Sequence, residues 1–494
     1  MTAATEKFRY WIDMSMECVR RDHTKSLTPG DQKGPFLTAR ALGMALAALN
    51  DANAHASGGT PLLGLVASPG LVGLAGNDIH VASAAACAQV LRLRYPNQGN
   101  MLEPGWLHWL EYFGFGLAGS VAEMEGRAFG NMVLQLGAND VANAKIDQYT
   151  PTGAPYAHTA PPNDLMQNYA GGVWGKSTRL LAVQVTGFPP PPGRISPATV
   201  TPTQHYRDDF DKVAAKGTID RMTGLLNTRT LEEEVVGIAW GYDGPSELGT
   251  PPRLYLQVVL TVLDLIKARM PGTLSHVDEL AIIAGVGIAM ADAAIDAWHY
   301  KYSPGHMMWR PAVGIRNAQH GNGVADPSFL PLGLPDTNGS NVGLTPNFPA
   351  YPSGHATFGA AAFQLLRLFL GEKGVISFDP DGVDDMSFAF VSDEFDGRNR
   401  DARTLQPRDH LTLGYPSLWK AITDNSLSRV YLGVHWQFDG ITQRNASNTD
   451  DEFGVPVPNK LGKTGGVWLG AQIANQIAPK LGVLPATITA SGIS

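Results

Sequence analysis

The stretch 149–204 divides this chain, because it is rich in Pro, Thr and Gly, sets Phe188 directly before the run Pro189 to Pro192, and cannot continue a helix. On either side of it apolar residues recur at helical spacing. Upstream, Phe36, Leu37, Ala41, Leu42, Met44, Ala45, Leu46 and Leu49 mark a helix between Gly34 and Ala54 that Asn50 and Asp51 interrupt. Similar patterns recur over 80–93, 105–123 and 127–137. Downstream, Leu254 to Met270 and Glu279 to Tyr300 carry apolar faces at i, i+3 and i+4, followed by helices over Ala356 to Leu370 and from about Pro416 to Leu432. Short strands are expected only at Val183 to Thr186 or Val375 to Phe378, and no repeat of fixed period is visible. The expected fold is all-α: two packed helical bundles with long Pro/Gly-rich connections, the first bundle with its connection over 1–235 and the second over 236–494. Two such units suit 494 residues, a length beyond the usual reach of one core.

Composition narrows the functional classes. With 44% hydrophobic and 17% charged residues the chain can bury large cores, while 55 Gly and 35 Pro imply extensive ordered loops. A net charge of -8 without a run of Lys or Arg argues against a nucleic-acid partner. Cys18 and Cys87 are the only cysteines, which excludes thiolate-rich metal centres and iron–sulfur clusters. The amino terminus has no continuous apolar core of the secretory kind, so cytoplasmic residence is the expectation. The longest apolar run, Leu280 to Ala291, stops at Asp292, short of the ~20 residues that span a bilayer, and a soluble protein without a membrane span is expected. Bundles of this size often dimerise, so a homodimer is compatible with the sequence.

Three segments of the second half carry chemistry. In Tyr351-Pro-Ser-Gly-His355, directly before an apolar helix, Ser353 offers a hydroxyl, Gly354 lets backbone N–H approach an oxyanion, and the helix start adds partial positive charge. His355 stands at the same terminus, placed to exchange a proton. These four residues alone also fit an ordinary helix cap with a surface histidine. In Ser428-Arg429-Val-Tyr-Leu-Gly-Val-His435-Trp-Gln-Phe-Asp439, the carboxylate of Asp439 can hold one ring nitrogen of His435, and Gly433 is expected to break the helix so that Arg429 and His435 converge. The simpler alternative pairs Arg429 with a surface carboxylate and leaves His435 half-buried. Between Trp298 and Pro311, Lys301 and Arg310 flank a turn at Pro304-Gly305, a point charge and a planar fork that bind oxyanion oxygens in complementary ways. Together the segments supply three cations, a hydroxyl, a glycine backbone and two histidines, a set suited to a tetrahedral or trigonal-bipyramidal anion.

These motifs resemble the vanadium-dependent haloperoxidases, which share their pocket with the type 2 phosphatidic-acid phosphatase superfamily. Pro-Ser-Gly-His and Ser-Arg with five residues to His and three more to Asp match without departure; eight residues separate Lys301 from Arg310, slightly more than is usual there. The run around Phe348 and Tyr351 to Gly359 and the position of Trp298, three residues before Lys301, look like the fungal-type chloroperoxidases. The resemblance is specific over about 290–440, and the amino-terminal half is similar only in being helical.

The resemblance implies that vanadate is the cofactor, in the carboxy-terminal bundle, with His435 its vanadium ligand and Lys301, Arg310, Ser353, Gly354 and Arg429 bonded to its oxygens. His355 is then the acid–base group, Lys301 polarises the bound oxidant, Asp439 orients His435, and Trp298 with Phe348 line a halide pocket. Hydrogen peroxide and halide are the implied reactants, with hypohalous acid or a halogenated organic acceptor as product. The alternative is an acid phosphatase of the same superfamily, in which His435 attacks phosphorus, a phosphohistidine forms and His355 protonates the leaving alcohol. A non-catalytic helical scaffold with a relic pocket is the third reading.

Overall fold

A computed structural model describes residues 3–143, 148–191, 203–219, 227–318, 323–444 and 456–493. Its axis is the helix His276–Lys301, opened by a capping box in which Ser275 Oγ accepts the Asp278 N–H and the Asp278 carboxylate accepts the Ser275 N–H. Small residues let its neighbours come close. A Cβ added to Gly43, in the helix Pro35–Ser57, would lie 2.7 Å from Gly287 O, so those two backbones touch. Farther along, a Cβ on Gly285 would lie 3.3 Å from Leu365, in the helix Gly354–Glu372. That helix in turn packs against Gly466–Ile477. The two bundles therefore share the 276–301 helix, and Trp11, Leu46, Ile288, Leu365 and Ile473 belong to one continuous apolar cluster.

The same helix passes the length and composition test for a membrane span, with a mean hydropathy of 1.8. In the fold it is central instead, and 94% of that apolar window is buried against other helices.

Expected elements form with shifted limits. The helix Pro35–Ser57 runs through Asn50 and Asp51, because the Asp51 carboxylate turns outward to accept the N–H groups of Leu62 and Leu63 at 2.8 and 2.7 Å. The expected 105–123 helix is two, Gly99–Tyr112 and Val121–Gln135, separated by Gly114, Gly116 and Gly119 with φ of 67°, 86° and 90°. Pro251–Arg269 and Leu418–Tyr431 lie close to expectation, whereas Gln204–Gly217 and Gly466–Ile477 were not foreseen.

No strand forms at 183–186. There Val183 N donates to Gln476 Oε1 and Val185 N to the buried Asp296 carboxylate, and just upstream Asp292 accepts from Leu180, Leu181 and Ala182. The Pro-rich connection is thus fastened to the core by side chains, in place of a sheet. At 375–378 only Phe378 makes an isolated bridge, to Asp384. The antiparallel pair among the described residues is instead Phe388–Phe390 with Leu413–Tyr415.

The 418–431 helix ends as expected at Gly433, whose φ is 69°. The chain folds back there, and Val434 N and His435 N both donate to Arg429 O, at 3.1 and 3.3 Å. A Cβ at Gly433 would also collide with the Gly217 carbonyl oxygen. Gly433→Ala should therefore cost about 2 kcal/mol or more, from left-handed strain and the collision together. A thermal midpoint unchanged from the wild type in calorimetry would contradict this reading of the turn.

Candidate active site

The three motif segments meet at one cavity of about 500 Å³, whose wall includes Gly354, His355, His435, Trp298, Phe348 and Asp243. Helix ends supply most of the groups. Lys301 is the last residue of the central helix, Arg310 caps the short helix Pro311–Asn317, and Ser353 caps 354–372 with its hydroxyl 3.4 Å from Ala356 N. Ser353 N donates to Asp439 O at 2.7 Å, which joins the Pro-Ser-Gly-His segment directly to the segment 428–439.

His435 is held in one tautomer. Its Nδ1–H donates to Asp439 Oδ2 at 2.9 Å, and that oxygen also accepts Trp436 N at 2.9 Å. The Nε2 lone pair is left, and Arg310 Nη1 donates to it at 2.8 Å. Arg310 further donates through Nε to Phe348 O and through Nη1 to Val434 O, both at 2.9 Å. Its guanidinium is thereby fixed beside the imidazole.

Arg429 forms a two-pronged ion pair with Asp243, at 2.8 and 3.0 Å, and its Nε has no partner. Asp243 lies 3.7 Å from His355 Nε2, so this pair belongs to the site and not to a distant surface. His355 Nε2–H donates to Gly241 O at 2.6 Å. Lys301 departs from its expected place as a direct donor to an oxyanion. Its ammonium donates to Pro349 O, Ala350 O and Pro352 O at 2.8, 3.0 and 2.5 Å, which uses all three of its hydrogens. It shapes the loop that leads into Ser353 and lends the site its charge.

Two carboxylates escaped the motif analysis. Asp243 lies in Trp240-Gly-Tyr-Asp-Gly, where only the turn is legible: Tyr242 and Gly244 have φ of 41° and 95°. Asp209, on the helix 204–217, accepts Phe438 N at 3.1 Å and so braces the segment carrying Asp439. Burial pushes the Asp209 carboxyl up to about 7. Nothing in spacing ties either residue to the motifs.

The electrostatics are those of a crowded cation site. Lys301, Arg310 and Arg429 are 0%, 1% and 0% exposed. Burial, then Arg310, drives the Lys301 ammonium well below its usual range, and burial lowers Arg310 to about 9 with Asp439 opposing. Burial, reinforced by Arg310, Lys301 and Arg429, holds His435 far below the normal imidazole range; burial and Arg429 do the same for His355. Both rings are therefore neutral near pH 7, and Nε2 of His435 keeps its lone pair. Asp243 and Asp439 are pushed up by burial and pulled back by these same cations.

This donor set fits a vanadate ion. It offers a nitrogen lone pair fixed by a carboxylate, an unpaired Arg429 N–H, a helix N-terminus at Gly354, and three cations against two carboxylates.

Two consequences can be measured. Asp243→Ala leaves Arg429 buried without its partner, so the anion-free protein should lose about 3–5 kcal/mol in denaturant unfolding, part of it restored by saturating phosphate. Wild-type stability without phosphate would count against the pair. Because both imidazoles fall below their ordinary 6.5, the unfolded chain binds more protons than the fold between that value and the lowered ones. Stability should thus decline as pH drops below about 6.5, and less so in a His355→Gln, His435→Gln double variant; equal slopes for both proteins would refute the assignment.

Comparison with known proteins agrees with this geometry. A model of the VCPO second helical-bundle domain matches residues 281–449, which contain every site residue expected from the motifs. Vanadium chloroperoxidase of Curvularia inaequalis is 29% identical over 563 aligned positions, covering 96% of this chain and 89% of that protein, so the likeness reaches well beyond 290–440. A bacterial vanadium-dependent iodoperoxidase shares the fold with a TM-score of 0.64 at 17% identity, over 96% of each chain. The holo form of a bacterial vanadium-dependent chloroperoxidase does so with 0.60 at 14% identity, over 94% of this chain and 95% of that one. The chain is thus similar along nearly its whole length to a vanadium chloroperoxidase and, over 281–449, the stretch that carries the motif residues, to the VCPO second helical-bundle domain.

Proposed function

We propose that the protein oxidises halide with hydrogen peroxide to hypohalous acid: peroxide, halide and a proton give hypohalous acid and water. The observation that carries this reading is His435, its Nδ1–H on Asp439 and its Nε2 lone pair beside Arg310, in a cavity walled by Trp298 and Phe348. Vanadate bound there would supply the Lewis acidity that activates peroxide without a change of metal oxidation state.

The chain's own groups do the rest. His435 Nε2 would be the ligand atom, and Asp439 raises its basicity while fixing its direction. Arg310 and Arg429, with Ser353 Oγ and Gly354 N–H at the helix start, would hold the anion's oxygens, and Lys301 would add its charge from behind the 349–352 loop. His355, held neutral by burial and Arg429, would take a proton more readily with a negative ion beside it and so would be the chain's acid–base group at the pocket. The rings of Trp298 and Phe348 sit 4.8 Å apart by centroid and present apolar walls that strip water from a halide, an arrangement of little use to a polar phosphoester.

Vanadate-loaded protein should oxidise a phenolic dye only when both bromide and peroxide are present. Hydrolysis of a phosphate ester inhibited by vanadate, without that oxidation, would instead make the protein a phosphatase. Asp439→Asn should weaken vanadate binding by about 10–100-fold, read by titration of the apo protein. Unchanged affinity would remove Asp439 from its orienting role. Phe348→Ala should alter the ratio of bromide to chloride rates before it alters vanadate affinity, and a constant ratio would dismiss it from the halide pocket.

A further inference from the structure

The segment 163–170 of the Pro-rich connection forms part of the rim of the cavity, with Met166 and Gln167 in its wall. It is fastened to the loop before Phe348. Asn163 Nδ2 donates to Gly343 O, Gln167 Nε2 to Thr345 O and Ala170 N to Asn347 O, at 3.0, 2.8 and 3.0 Å. Among these bonds the Met166 side chain is 89% exposed while still lining the cavity, so its thioether stands where the chamber opens to solvent. Two other exposed methionines, Met124 and Met270, at 58% and 37%, have no place in that wall. Met270 follows the far end of the 19-residue helix 251–269, whose first residue, Pro251, lines the cavity, so about 28 Å of helix separates them.

A thioether sulfur is soft and polarizable, and two-electron oxidants convert it to the sulfoxide. One molecule of hypohalous acid formed in about 500 Å³ is at a local concentration on the order of 3 M until it reacts or leaves. Dilution into bulk solvent removes that advantage. An oxidisable group at the rim therefore meets the reagent before any other exposed thioether, although all of them are chemically alike. Trp298 also lines the cavity, but its ring packs on Phe36, Phe348 and Phe358 and its Nε1–H donates to Ala170 O at 3.3 Å. Met166 is the accessible target.

Resting on the haloperoxidase reading, we propose that Met166 is a self-modification site, where hypohalous acid made in the cavity oxidises the thioether to the sulfoxide on its way out. The sulfur attacks the halogen and hydroxide leaves; water then displaces halide from sulfur and loses its protons. With bromide, thioether and hypobromous acid give sulfoxide, bromide and one proton. Sulfur loses two electrons and bromine gains them. A polar, chiral S=O group then replaces an apolar side chain at the rim.

Peptide mass spectrometry of the vanadate-loaded protein reads the sulfoxide at each methionine after turnover with peroxide and bromide, with excess free methionine present to intercept released reagent. Met166 should be oxidised about 10-fold or more in preference to Met124 and Met270. Hypobromous acid added without turnover should show a preference no larger than their exposures account for. Leu165 is 73% exposed but has no place in the cavity wall, so Leu165→Met combined with Met166→Leu should abolish the preference while bromide is oxidised at the wild-type rate. Peroxide without bromide should leave Met166 unmodified, and sulfoxide formed there would remove hypohalous acid as the oxidant. Bromide oxidation with no more preference for Met166 than the added reagent shows, or a preference that persists in the double variant, overturns this proposal alone. Absence of bromide oxidation overturns the haloperoxidase reading and this proposal with it.

Discussion

Three cationic side chains held out of water behind the cavity's lining are the constraint around which the rest of this structure is arranged. Removing Lys301, Arg310 and Arg429 from solvent would be prohibitive for isolated ions, and the fold offsets it with oxygen atoms placed at fixed positions. Lys301 is met by three carbonyls of the 349–352 loop, Arg310 by carbonyls of Phe348 and Val434, and Arg429 by the Asp243 carboxylate. What these oxygens leave over is a local excess of positive charge beside two neutral imidazoles, and a small oxyanion completes it.

That arrangement depends on rigid helix ends. The central helix delivers Trp298 and Lys301 within one turn of each other, the 354–372 helix is capped by Ser353, and the left-handed Gly433 folds the chain back so that Val434 N and His435 N both donate to Arg429 O. Close contact at Gly43 and Gly287 brings the amino-terminal helices onto the same axis. The Pro-rich connection, fastened through Asp292 and Asp296, then closes over the pocket with Met166 and Gln167. The amino-terminal half and the connection therefore contribute to the cavity as well as to the core.

Helices and motifs were legible because their signals are local. Apolar spacing marked 254–270 and 279–300 to within a few residues, and Gly433 announced its turn through the side chain it lacks. Where long-range bonds decided the outcome, the sequence was silent or misleading. Asp51 looked like a helix breaker but serves as an acceptor for a distant loop, and in 183–186 the amides of Val183 and Val185 go to the side chains of Gln476 and Asp296. Asp243 and Asp209 have no motif at all; each acts across the fold, on Arg429 and on the backbone of Phe438. Lys301 carried the right charge at the right place, but its hydrogens go to the loop and not toward the cavity, a division of labour that spacing does not encode.

The most direct test is anomalous diffraction at the vanadium edge from crystals soaked in orthovanadate. The account predicts one vanadium per chain bonded to His435 Nε2, with Arg310 swung from that nitrogen onto an oxygen of the anion and Arg429 within hydrogen-bond distance of another. Vanadium bound elsewhere, or a pocket in which Arg310 keeps its bond to His435 at saturating vanadate, would contradict it.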